Sequence, residues 1–343
     1  MLIEYIKDKY KTISIVGMSK NSGKTVTLNH LIGEAMYEDI TIGITSIGRD
    51  GEGEDVVTET EKPRIFVEDG TLVATAKEML SLGDANIEIL QVTDYRTPMG
   101  NIVIGRVRNS GYIQVAGPQL LSEIRKVSEI MLNMGASFVI IDGALDRISS
   151  ADPKISEATI LATGAVVSRD MGKTIEETSH TASLLGLEAI EDNEDRTIIK
   201  KIIEDNKIAI VDDDNTVRVI PIETALSAGS LIGEYLKDES KYLVIPGSLV
   251  KKTVSDLVRS TRKYKGIDIV ISDGTKVFIN PKDWLIFKRQ GVSVKVLDKI
   301  NLVAITINPF APQGYYFNPE EYLKTMQAYI KDIPVIDIVL GGE

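Results

Sequence analysis

The chain has 343 residues, with 50 Asp and Glu against 39 Lys and Arg and a net charge of −11. It has no cysteine and two histidines, which excludes disulfides, thiolate catalysis, Cys-bound zinc, iron–sulfur clusters and any multi-histidine metal site. The acidic balance argues against general nucleic-acid binding. With no leader-like pattern at the start and no apolar run of about eighteen residues, a cytoplasmic protein is expected.

A chain of this length predicts two domains. Residues 12–16 read as a buried strand and Lys24–Tyr37 as a helix. Residues 40–46 form a second strand, followed by the glycine- and carboxylate-rich run GRDGEGED. A short strand at 64–67 and a helix at 75–82 come next. Strands at 87–92 and 101–107 flank a Thr-Pro turn, and another strand covers 112–115. Apolar residues recur at helical spacing over 119–134, and Gly135 supplies the stop. Residues 137–141 (SFVII) are the most strand-like run and lead into Asp142. Strand material at 159–161 and 166–167 precedes a helix at 174–185.

The acidic, poorly periodic stretch 188–196 marks the expected boundary, giving domains 1–190 and 191–343. The second half repeats the theme. Strands fall at 209–211, 217–220, 242–245, 267–271, 292–297 and 302–307, with helices at 223–236, 249–262, 281–289 and 319–330. Alternating strands and helices predict an α/β fold: a doubly wound, mostly parallel sheet with a second α/β domain.

The stretch 13–31, ISIVGMSKNSGKTVTLNHL, carries the main functional signal. A strand runs into a Gly/Ser-rich turn that opens a helix at Gly23-Lys24-Thr25. That is the layout of a phosphate-binding P-loop (Walker A), in which loop amides and the helix dipole meet phosphate oxygens. Gly17, Ser19, Lys20, Asn21, Ser22, Gly23, Lys24, Thr25 and Val26 form the expected cradle. Lys24 would reach the β- and γ-phosphates, and the Thr25 hydroxyl would bind Mg2+. Five residues separate Gly17 from Gly23, one more than the usual four.

Asp142, at the end of an apolar strand, is the second expected Mg2+ ligand. Asp146 and Arg147 follow in the loop where a parallel sheet meets its ligand. Asp50 and Glu52, with Asp55 third, are candidates to position an attacking water or acceptor, and Arg49 to neutralise phosphate charge. An exposed acidic loop is the alternative for all four. Lys20 is a solvated lysine near the phosphates. Thr163-Gly164 is either a turn or a meeting point for adenine. The aromatic-rich run 308–319 either packs as a loop on the second domain, or binds a partner or lines an interdomain cleft. Trp284 and Phe287 read as helix core and His180 as structural.

The long loop resembles the group containing dethiobiotin synthetase and MinD-like ATPases. Some dimeric members use an extra loop lysine across a subunit interface; Lys20 lies one position out of that register, and a homodimer stays open. Read together, IVGMSKNSGKTVTLNHLI, TSIGRDGEGEDVVTETEKPRIFVEDGTLVATA and VIIDGALDR resemble the ATP-binding subunits of lysine 5,6-aminomutase reactivases. That resemblance implies ATP on Gly17, Gly23, Lys24 and Thr25, and Mg2+ on Asp142. It also implies an adenosylcobalamin-dependent aminomutase as partner and a companion MutS-like ATPase, without membrane or nucleic acid. No cobalamin signature is present in the residues themselves. Three functions follow: an ATPase (hydrolase) that remodels or reactivates a partner enzyme, an ATP-dependent ligase or kinase, or a non-hydrolysing nucleotide sensor. The absence of a guanine-specific Asn-Lys-x-Asp run favours ATP.

Overall fold

The computed structural model describes residues 1–48, 64–143 and 151–340. Arg49, Asp50, Glu52, Asp55, Asp146 and Arg147 therefore lie outside the described residues. Those described divide into two compact units, one from Met1–Ser179 with Asn301–Glu343 and one from His180–Ile300. No helix among them is long and apolar enough to cross a membrane.

The first unit begins with a 3-10 turn at Leu2–Tyr5, whose Leu2 and Ile3 amides donate to the Glu34 carboxylate at 3.1 and 2.7 Å. Strand β1 (Thr12–Gly17) follows, then α1 (Lys24–Tyr37), β2 (Ile42–Ser46), β3 (Ile65–Val67) and β4 (Leu72–Ala76). A hairpin of β5 (Asn86–Thr97) and β6 (Gly100–Asn109) leads to β7 (Gly111–Ile113) and α2 (Leu121–Asn133). Then come β8 (Phe138–Asp142), β9 (Ala158–Gly164) and α3 (Met171–Leu185), inside which the unit boundary falls.

Strand β1 is a continuous apolar run because it is covered on both faces, as parallel strands are. Ile13 and Ile15 are fully buried, and burial of each such side chain contributes about 1.5–3 kcal/mol. The polar exception, Ser14, has its hydroxyl within 3.0 Å of both Thr159 Oγ1 and Ser156 Oγ. Helix α1 turns Thr27, Leu28, Leu31, Ile32 and Ala35 inward at helical spacing.

The second unit opens with the last residues of α3, from His180, followed by α4 (Asn193–Glu204). It continues through β10 (Ala209–Asp212), β11 (Val217–Val219), α5 (Gly229–Tyr235), β12 (Ser240–Val244), β13 (Leu249–Val250), α6 (Lys251–Ser260), β14 (Asp268–Ile271), β15 (Val277–Phe278), α7 (Pro281–Arg289) and β16 (Ser293–Val296). Its main sheet has the order β11-β10-β12-β14-β16, with β12, β14 and β16 parallel and β10 antiparallel to both of its neighbours. One core joins α5, α6 and α7 through Ile232, Val254, Leu257, Trp284 and Phe287. Another gathers Ile199 and Ile202 of α4 with Val211 and Val244.

From Asn301 the chain returns to the first unit with β17 (Leu302–Asn308), α8 (Pro319–Tyr329) and β18 (Val335–Asp337). The large sheet then reads β18-β17-β9-β1-β8-β2-β4-β6-β5, parallel throughout except at β6. The protein is thus mixed α/β with a large, mostly parallel sheet.

Two expectations change. The second unit is an insertion ending at Ile300, whereas the sequence assigned everything from 191 onward to it. Ala304, Ile305 and Ile307 are fully buried, and β17 pairs with β9 along its length. The acidic stretch at 188–196, expected to mark the boundary, lies inside the second unit and runs into α4: Asp192 caps the helix by accepting from the Glu194 and Asp195 amides, both at 2.9 Å.

Candidate functional site

Strand β1 lies where the connections of the large sheet part. β8, β2 and β4 extend on one side, and β9, β17 and β18 on the other. At such a point the loops beyond the carboxyl ends of the strands separate and leave a crevice. The register aligns Ile15 with Asp142 of β8, and Asp142 with Ser46 of β2. Gly17, Asp142 and Ser46 therefore emerge at the same end of the sheet.

The loop from Gly17 to α1 is tightly held. The Met18 amide donates to the Ala162 carbonyl at 2.9 Å, and the Ser22 amide to the Ser19 carbonyl at 3.3 Å. Asn21 and Gly23 both take left-handed backbone angles, φ 62° and 101°. At Gly23 a side chain would be strained, and a Cβ would lie 3.2 Å from Asn308 Cβ. Gly17 is glycine for another reason. A Cβ there would stand 2.5 Å from Ser22 Oγ and 2.9 Å from Lys24 Cγ, so the lysine stem and the serine occupy that space.

No side chain caps α1. Its first backbone bond runs from the Thr27 amide to the Gly23 carbonyl at 2.8 Å, and the amides of Thr25 and Val26 lie ahead of it. The Val26 side chain is partly buried and packs against the core. The Ser22 hydroxyl is buried without a hydrogen-bond partner. A buried, unsatisfied hydroxyl is costly unless a ligand completes it.

Lys24 is buried and spans the gap between β1 and β8. Its ammonium donates to the Gly143 carbonyl and stands 4.0 Å from Asp142 Oδ1. Asp142 is itself buried. The expected phosphate-binding lysine and the expected metal carboxylate are thereby brought together across adjacent strands. Ser19, Lys20, Asn21 and Thr25 line the same short loop and helix start, each partly exposed.

The sequence did not assign Asn308 to this site. It ends β17, lies against Gly23, and accepts from the Phe310 amide through Oδ1 at 3.0 Å. The signal available was Asn308-Pro309 after an apolar strand, which has no force until β17 is known to join this sheet. The run 308–319 belongs to the first unit and packs within it. Tyr315 donates to the Ala165 carbonyl at 2.9 Å, with the Arg169 guanidinium 5.1 Å over its ring. Phe310 and Tyr316 stack, exposed, at 6.0 Å. Burial pushes the Tyr322 hydroxyl well above its ordinary value, so it stays protonated below this loop's aromatic Phe317.

Other residues are structural. The Thr163 hydroxyl bonds Thr178 at 2.8 Å inside the fold, and Gly164 is glycine because the Asn308 carbonyl oxygen would be 2.4 Å from a Cβ there. His180 Nε2 is 2.7 Å from the Ile279 carbonyl, and its ring meets Trp284 edge-on. Trp284 and Phe287 are core, as expected. Among the described residues no group of three or more His, Asp or Glu side chains could by itself hold a metal. No protein-family model matches this chain, and no curated protein matches it.

Proposed function

We propose that residues 17–25 cradle the phosphates of ATP with Mg2+, and that the chain is an ATPase acting on a partner enzyme. The observation that carries the first part is the course of Lys24. From the first residue of α1 its ammonium reaches over the loop to the end of β8, beside Asp142. A cation held there, next to unladdered amides at a helix start, is the chemistry that polyphosphate requires. Thr25 and Asp142 are the residues that would hold Mg2+; a hydroxyl and a carboxylate are the oxygen donors this hard cation takes, with phosphate completing the set. The orphaned Ser22 hydroxyl fits the same ligand, as a donor to a phosphate oxygen.

The second part rests on the resemblance to aminomutase reactivases, with an adenosylcobalamin-dependent aminomutase as the partner. Such a protein needs ATP to favour one conformation over another, which differential binding alone provides. Calorimetric titration with MgATP tests the site. We expect binding by the intact protein and a loss of about a hundredfold or more in Lys24→Ala, because a charge-assisted contact in a buried site disappears. Equal affinities would remove Lys24 from the site. Turnover is then measured alone, with small acids and amines, and with a cobalamin-dependent aminomutase. Stimulation by the mutase supports the remodelling role, whereas dependence on a metabolite replaces it with the ligase or kinase reading.

A further inference from the structure

Charge is distributed unevenly along this chain. Residues 251–299 hold twelve Lys and Arg against five Asp, whereas the remaining residues hold 27 against 45. Within that basic stretch α7 is anchored firmly. Asn280 caps it through a bond from the Asp283 amide at 2.9 Å, Pro281 occupies its first turn, and Trp284 and Phe287 bury one face. The opposite face presents Lys282, Leu285, Ile286 and Arg289, at the spacing of one helical stripe, all exposed. Leu285 and Ile286 are 51 and 41 % exposed. The single acid of α7, Asp283, is paired with Lys251 at 2.9 Å.

Local stability does not account for this stripe. Cations near a helix C-terminus complement the dipole, which explains Lys288 and Arg289. Lys282 stands in the first turn, where a cation opposes the dipole, and two exposed aliphatic side chains gain nothing from water. Lys282, Lys288 and Arg289 have no acidic partner among the described residues. The positive surface continues beyond α7. Tyr264 donates to the Gln290 carbonyl at 3.2 Å, and the Lys265 side chain runs 3.7 Å from where a Cβ on Gly291 would lie. That bond brings Arg262 and Lys265 beside the end of the stripe.

We propose that this α7 face docks an acidic protein surface that carries apolar side chains. An apolar centre ringed by charge is the anatomy of a protein–protein contact. A compact phosphate is disfavoured, because the carbonyl ends of α6 and α7 lie among these cations. A long polyphosphate chain is disfavoured by the strongly acidic remainder of the protein. The proposal does not depend on nucleotide binding.

The test uses the full chain and a random Glu/Tyr copolymer, with polyglutamate, oligouridylate and anionic lipid vesicles in parallel, at low salt. We expect the copolymer to bind more tightly than the other three. The double variant Lys282→Glu/Arg289→Glu should weaken it about tenfold or more, since like charges then face each other. Leu285→Ala/Ile286→Ala should weaken it about fivefold while leaving polyglutamate unchanged. Unaltered thermal unfolding of both variants shows that the surface, and not the fold, has changed. Tighter binding of RNA or vesicles, equal copolymer binding by wild type and variants, or a dimer dissolved by Leu285→Lys would each overturn the proposal.

Discussion

Two loops follow parallel strands in this molecule and end differently. In the first unit, the loop after β1 opens α1 with a left-handed glycine and no capping side chain. In the second, the loop after β14 is closed upon itself. Asp273 accepts from the Thr275 amide and hydroxyl, at 2.9 and 2.5 Å, and Gly274 fits under the Leu184 carbonyl at the end of α3. Both loops hold a buried serine hydroxyl without a partner, Ser22 and Ser272, so that feature does not separate them. What separates them is who satisfies the backbone. A carboxylate of the chain does so in the second unit, whereas in the first the Thr25 and Val26 amides stand ahead of the first helical bond with no side-chain cap among the described residues. The same α/β architecture thus closes one strand end with its own carboxylate and leaves the helix start at the other uncapped among the described residues.

The sharpest test of that contrast exchanges a hydrogen for a methyl group in each loop. At Gly274 a Cβ would meet the Leu184 carbonyl oxygen at 2.0 Å and its carbon at 2.7 Å. Backbone cannot yield cheaply, so Gly274→Ala should destabilise the protein by about 3 kcal/mol, read by urea unfolding. At Gly17 the neighbours are side-chain atoms of Ser22 and Lys24. Gly17→Ala should cost about 1–2 kcal/mol of stability but abolish measurable MgATP binding, because Lys24 must leave its path. If Gly17→Ala left nucleotide affinity intact, the proposed phosphate cradle on residues 17–25 would be wrong.

Acid should also act unequally on the two units. The Arg218 guanidinium beside Asp212, bonded at 2.6 and 2.7 Å, holds that carboxyl below its ordinary value against the opposing effect of burial, and Ser240 adds a further bond. Asp212 therefore contributes stability that is present above the unfolded carboxyl pKa of about 4 and is lost as pH falls through its lowered folded value. This cluster ties β10, β11 and β12 together. Asp212→Asn should cost about 2 kcal/mol at neutral pH and markedly less near pH 3. A pH-independent cost would mean that packing, and not the charge pair, accounts for it.

Most strands could be read from their apolar runs, and Lys24–Tyr37 and Pro281–Arg289 have the bounds their patterns suggest. Three features could not be read. Thr75 and Ala76 fall in the helix expected over 75–82, yet they complete β4, because a central strand between β2 and β6 outweighs local propensity. Asp192, Glu194 and Asp195 read as a poorly periodic boundary, although acidic residues are what a helix start favours. The return of β17 to the first sheet leaves no mark in its own residues, since Leu302–Asn308 would suit either sheet. Consequently the nearness of the loop and Asp142 was legible, but the approach of Asn308 was not: its contact with Gly23 spans 285 positions.

The smallest expected effect concerns how that returning strand supports the loop after β1. The Thr27 hydroxyl donates to the Gly23 carbonyl at 3.0 Å, which uses its one proton. It must therefore accept from Thr306 Oγ1 of β17, 2.7 Å away and fully buried. Thr306→Val removes that donor but leaves the Gly23 bond, and should cost about 1 kcal/mol of stability with MgATP affinity unchanged. Thr27→Val removes both side-chain bonds and leaves the Gly23 carbonyl held by the Thr27 amide alone, so it should also weaken MgATP several-fold. A double-mutant cycle separates the shared bond from the rest. Equal loss of nucleotide affinity in the two single variants would mean that β17 itself, and not the Thr27–Gly23 bond, sets the shape of the loop.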